Sequence, residues 1–165
     1  ERVDLVTSTF GKALGGSSGG FTAGRKEYID LLRQRSRPYL FSNSLSPVVA
    51  CVTLKAIDMI EESPELIQKL QNNTVYMRNK FNEAELNIKP GAHPIIPYML
   101  GEAHLAKEMA KRLLKKGIYV VGFSFPIVPK GEARIRFQVS AEHEVADIDY
   151  LVEKVKSVKN NLVPN

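Results

Sequence analysis

Cysteine is nearly missing from this sequence: Cys51 stands alone, so no internal disulfide can form and a reducing compartment is the expected setting. Tryptophan is absent altogether. No apolar run approaches the roughly 20 residues of a membrane helix, and the chain therefore reads as soluble. The three histidines, His93, His104 and His143, are far apart and lack the spacing of metal ligands, so they read as surface or structural residues. Repeats and low-complexity tracts are also missing. The opening residues Glu1-Arg2-Val3-Asp4-Leu5 offer neither a signal peptide nor an initiator methionine. They read as the middle of a fold, with any targeting signal upstream.

The 165 residues are 44% hydrophobic and 25% charged, enough apolar material for a core without disulfides and the size of one domain to one and a half. The formal net charge is +5. Cations are interleaved with acids, as in Lys107, Glu108, Lys111 and Arg112, with no basic stripe carrying aromatics between its charges. Nucleic acid is therefore not the expected partner, while a nucleotide-bearing small molecule stays compatible with the charge.

Along the chain, residues 2–6 suit a short strand, and a small-residue stretch from Thr7 to Gly20 suits a tight loop that lets something approach the backbone. Phe21 to Ala23 reads as a second strand and residues 25–35 as an amphipathic helix. Residues 38–44 read as a polar-aromatic loop. Ser46-Pro47 and Ser63-Pro64-Glu65 are helix starts. The first helix is expected to bury Val48, Val49, Val52, Ile57 and Ile60, with Cys51 packed among them, and the second carries Leu66, Leu70, Met77 and Phe81. Beyond Pro90-Gly91 the pattern becomes strand (93–100), helix (Leu105, Met109, Leu113), strand (118–121), strand (133–139), helix (Ile148 to Val158), which suits a small α+β domain.

Two places have the makings of chemistry. Lys12 follows a strand within Thr7-Ser8-Thr9-Phe10-Gly11-Lys12-Ala13-Leu14-Gly15-Gly16. A desolvated lysine amine makes imines with aldehydes, and nearby hydroxyls and glycine N–H groups suit a phosphate. A surface lysine beside a glycine turn fits the same residues, so the pattern alone leaves both readings open. Two nucleotide motifs are excluded: a P-loop would place glycine where Val6 stands and Ser or Thr where Ala13 stands, and residues 15–20 lack the dinucleotide glycine spacing. The second place is Ala133-Arg134-Ile135-Arg136-Phe137-Gln138-Val139. Period two puts Arg134, Arg136 and Gln138 on one face, either gripping a planar carboxylate or simply solvated. Phe123 and Phe125 fit either a pocket lining or the core, and burial is the favoured reading.

Thr9-Phe10-Gly11-Lys12-Ala13-Leu14-Gly15 resembles the lysine motif of the α-oxoamine synthases, a family of fold-type I pyridoxal-phosphate (PLP) enzymes. Residues 33–45, 93–101 and 122–131 resemble the branch that condenses glycine with acetyl-CoA. The resemblance covers nearly the whole chain and implies the C-terminal half of an aspartate-aminotransferase-like α/β fold. Residues 1–62 would end the large PLP-binding domain, 63–90 would form a connecting helix, and 91–165 a small C-terminal α+β domain. It further implies that Lys12 holds PLP and takes the α-proton of glycine. Thr9 would contact the cofactor phosphate. Phe41 and Ser42 would reach the phosphate of a neighbouring subunit, making a homodimer with shared active sites. Arg136 would hold the substrate carboxylate, with Arg134 supporting it. Mitochondrial matrix or bacterial cytoplasm is the implied location.

Departures accompany the match. The family's ring-stacking histidine, its aspartate at the pyridine nitrogen and its histidine beside the substrate have no counterpart in this sequence, so these 165 residues alone are expected to be inactive. Ala84-Glu85-Leu86 differs from the family's Ala-Gly-aromatic turn. Alternatives are a sister synthase using a longer acyl-CoA, a non-catalytic partner subunit, which the presence of Lys12 opposes, and an interaction module with a structural glycine loop.

Overall fold

The computed structural model describes residues 3–15 and 18–162. Arg2, from the first expected strand, and Gly16 and Ser17, from the glycine-rich stretch, lie outside the described residues. The chain divides into two units, Glu1–Pro64 and Glu65–Asn165.

In the first unit, β1 (Leu5–Thr9) and β2 (Gly20–Gly24) form an antiparallel pair, in register from Leu5↔Gly24 to Thr9↔Gly20. The strand begins later than residues 2–6 suggested, because Val6, Thr7 and Thr9 supply the β-branched residues that a pleated ribbon favours. Gly20 is required by space: a Cβ there would collide with the Ser8 carbonyl oxygen. Helices α1 (Lys26–Arg35), α2 (Arg37–Phe41) and α3 (Pro47–Glu62) follow. Residues 38–44 are thus not wholly a loop. Pro38 sits in the first turn of α2, where its missing N–H costs no hydrogen bond.

Helix α3 departs from expectation in its packing. Val49 and Thr53, four residues apart, are its buried side chains, whereas Val48, Val52, Ile57 and Ile60 are exposed. The helix is apolar on more than one face, and this unit covers one of them. Cys51 lies on an exposed arc and does not pack in a core.

In the second unit, β3 (Ile95–Gly101), β4 (Gly122–Phe123) and β5 (Ala133–Gln138) form an antiparallel sheet in the order β3-β5-β4. Pro97 is tolerated within β3 because that strand is an edge. Helices α4 (Pro64–Glu83), α5 (Ala103–Leu114) and α6 (Val145–Leu162) supply the rest of the core. Met77 and Phe81 of α4, Met109 and Leu113 of α5, and Ile148 and Val155 of α6 are fully buried with Ile96, Ile135 and Phe137 of the sheet. Phe81 meets Phe137 edge to face at 5.1 Å between ring centres. The buried Asn73 donates its side-chain N–H groups to the carbonyls of Ser140 (3.0 Å) and His143 (2.8 Å), tying α4 to the turn before α6.

Residues 118–121 form no strand. Helix α5 ends in a Schellman motif: Gly117, at φ 76°, donates to Leu114, and Ile118 donates to Leu113. Ile118 is buried in completing that cap, so pairing with β5 starts only at Gly122.

Candidate active site

The loop carrying Lys12 is pinned at both ends. The Phe10 N–H donates to the Gly19 carbonyl at 3.1 Å, extending the β1–β2 ladder by one bond. The buried Phe10 ring stacks on Phe21, with centres 5.7 Å apart. Gly15 closes a turn by donating to the Lys12 carbonyl, in the positive-φ region that glycine enters freely (φ 71°). Lys12 is therefore held on a short turn while its amine stays exposed. It borders a cavity of about 390 Å³ lined by Thr7, Ser8, Thr9, Lys12, Ala13 and Leu14, within the range of small-molecule sites. Lys12 and Thr9 thus share one cavity, and Thr7 lies on the same face of β1 as Thr9.

Phe41 and Ser42 do not line it. Phe41 ends α2 with its ring 78% exposed, and Ser42 caps that helix in extended conformation. A second cavity of this unit, about 490 Å³, lies against α1, β2 and α2 and is bordered by Phe21, Ile29, Leu32, Arg33 and Tyr39.

Arg136 belongs to the second unit, on the face of β5 opposite Ile135 and Phe137. Its neighbour Arg134 is buried and paired with Glu132 at 3.2 Å, and Glu132 also meets Lys89 at 3.5 Å. Arg136 is exposed and, among the described residues, joins no ion pair and donates no side-chain hydrogen bond. Its guanidinium carbon lies 4.4 Å from the centre of the Phe123 ring. The Phe123–Arg136 pair was not foreseen, because β4 is too short to show a period. Phe123 is half-buried and Phe125 is 61% exposed, neither being the core residue that its aromatic character suggested.

The histidines are structural or exposed. His93 accepts the Ile95 N–H through Nδ1, His143 accepts the Ser140 N–H likewise, and His104 is exposed. No cluster of His, Cys, Asp or Glu among the described residues is arranged to hold a metal ion. No helix of the described residues is long and apolar enough to cross a membrane.

The family model for aminotransferase class I and II matches residues 1–155. The chain belongs to that family. Within the aminotransferase class I and II family it is 52% identical over 153 residues to the mitochondrial 2-amino-3-ketobutyrate coenzyme A ligase of Mus musculus, covering 93% of this chain and 37% of that protein. The 2-amino-3-ketobutyrate coenzyme A ligase of Escherichia coli is 48% identical over 161 residues, covering 98% of this chain and 40% of that protein. The chain thus spans about two fifths of the length of these curated relatives. Among solved structures, a serine palmitoyltransferase from S. paucimobilis with a bound PLP-myriocin aldimine superimposes with a TM-score of 0.87 at 25% identity, covering 97% of this chain and 40% of that one. The α/β fold of fold-type I enzymes expected from the motifs is the fold this chain adopts over the part it spans.

Proposed function

We propose that this chain is part of a PLP-dependent glycine C-acetyltransferase, or 2-amino-3-ketobutyrate coenzyme A ligase. The reaction joins glycine Cα to the acetyl carbonyl carbon of acetyl-CoA and releases CoA as its thiol. The observation that carries the reading is Lys12 in its hydroxyl-lined cavity, in a chain about half identical to ligases of that name.

The residues present fit the cofactor. The Lys12 amine is accessible to its aldehyde, and the hydroxyls of Thr7 and Thr9, on one face of β1, suit its phosphate. When bound, PLP supplies an electron sink that makes the α-hydrogen of glycine acidic. Lys12 holds the cofactor through Nζ. The same Nζ, when free of the cofactor, would accept the α-proton of glycine as general base. Thr9 would donate its hydroxyl to the phosphate, and the Phe41–Ser42 segment, through backbone N–H groups and the Ser42 hydroxyl, would reach the phosphate of the neighbouring subunit of a homodimer. Arg136 grips the glycine carboxylate with its guanidinium fork, while Arg134, held by Glu132, supports the strand.

In this reading residues 1–62 end the large domain, 63–90 connect, and 91–165 form the small domain. The compartment is the mitochondrial matrix or the bacterial cytoplasm, in keeping with the mitochondrial and bacterial relatives.

The test is visible absorbance of the whole protein with PLP, with Lys12→Ala alongside. The lysine-bound cofactor band is expected in the parent and absent in Lys12→Ala, to shift with glycine and to change again with acetyl-CoA, with turnover falling by at least about 10³-fold in the variant. A band that answers glycine but not acetyl-CoA would transfer the assignment to a sister synthase with a longer acyl donor. No Lys12-dependent band would end the PLP assignment.

A further inference from the structure

We propose that Phe123 is a positioning residue for the substrate carboxylate, its ring holding the Arg136 guanidinium in place while leaving that group's N–H edges free for the ligand. The inference rests on the reading of Arg136 given above.

Four observations carry it. The guanidinium-to-ring distance of 4.4 Å is the shortest cation–π approach among the described residues, the others running from 4.8 to 6.0 Å. The register explains the approach: Phe123 pairs directly with Arg134, so Arg136 is its diagonal neighbour on the same face, within reach of an aromatic and a long side chain. Arg136 has no acidic partner among the described residues, unlike Arg134. Finally, β4 is fixed from behind, because Gly122 lies so close to α5 that a Cβ would stand 2.8 Å from the Ala106 carbonyl oxygen. The helix backbone thereby sets where the next residue, Phe123, carries its ring.

The physical consequence follows from how the two groups attract. A cation over an aromatic face engages the π cloud, whereas a carboxylate is held by the N–H donors around the guanidinium edge. The two contacts do not compete. A free arginine loses rotamer freedom when it binds a ligand, and one already held over a ring loses less. Phe123 stands apart from the buried cluster on the other face of β5, so replacing it with another apolar residue leaves that core intact.

The experiment uses the PLP-loaded whole protein and reads glycine affinity from the cofactor spectrum, with methylamine, which lacks a carboxylate, as the control ligand. Phe123→Leu is expected to weaken glycine roughly 3- to 10-fold, the size of a partly desolvated cation–π contact. Methylamine should be unaffected, KM for glycine should rise with kcat nearly unchanged, and Phe123→Tyr should restore affinity. Arg136→Gln should weaken glycine more than Phe123→Leu does. If Arg136→Gln weakens glycine and Phe123→Leu does not, the positioning role is overturned and the carboxylate reading stands. If Phe123→Leu weakens methylamine equally, the ring is a general structural support and the proposal falls. If Arg136→Gln leaves glycine binding unchanged, the carboxylate reading falls and this inference with it.

Discussion

At the scale of single residues, Arg134 and Arg136 show what alternation reveals and what it leaves open. The period of two placed both on one face of β5, and the structure agrees. It did not say which was committed elsewhere. The readable signal was Glu132, two residues before Arg134 and so on the same face; in the structure it pairs with Arg134, whose side chain is only 10% exposed. Arg134 therefore acts as a structural cation. Its Nε, buried without a partner, makes it sensitive to further loss. Glu132→Gln is expected to destabilise the protein by about 1–2 kcal/mol, moderated because Glu132 is itself partly exposed. Combining it with Arg134→Met should recover part of that loss, since no buried charge is then left weakly paired. Urea denaturation of the single and double variants checks both signs, and a double variant less stable than Glu132→Gln would contradict the account.

Among the elements, the passage from α5 to β4 separates legible from illegible structure. Lys115-Lys116-Gly117, cations in the last turn followed by a glycine, is a helix-end pattern, and the helix ends there. The apolar run 118–121 then looked like a strand because β-branched residues suit one, but the Schellman cap uses the Ile118 N–H and buries its side chain. Local propensity lost to a tertiary demand. The same passage holds two glycines needed for different reasons. Gly117 sits at φ 76° with open space around it, so Gly117→Ala meets only backbone strain, about 1–2 kcal/mol. Gly122 has no positive φ; its constraint is the Ala106 carbonyl oxygen. Gly122→Ala should therefore push β4 away from α5 and disturb Phe123. Thermal unfolding and glycine affinity together separate them: Gly117→Ala lowers stability alone, whereas Gly122→Ala lowers both.

For the whole molecule, four motif stretches in order, residues 9–15, 33–45, 93–101 and 122–131, made the family legible. Burial was harder to read. Helical periodicity marks apolar faces but not what covers them, which is why α3 carries exposed Val48, Val52 and Ile60 where a buried stripe was expected. The two units differ accordingly. In the first, Phe10, Val49 and Thr53 are the buried side chains among the described residues, whereas the second has a continuous core from Met77 to Val158. Local opening is cheapest where few apolar groups must be exposed. Amide hydrogen exchange on these 165 residues should show β3, β5 and the inner turns of α4, α5 and α6 exchanging slowest, with β1, β2 and α1 to α3 exchanging orders of magnitude faster. Equal protection in both units would mean that something covers the apolar face of α3 in solution. Repeating the measurement across protein concentrations would then decide the cause: protection that falls on dilution identifies a second copy of the chain, and protection that persists requires the cover to come from the chain itself.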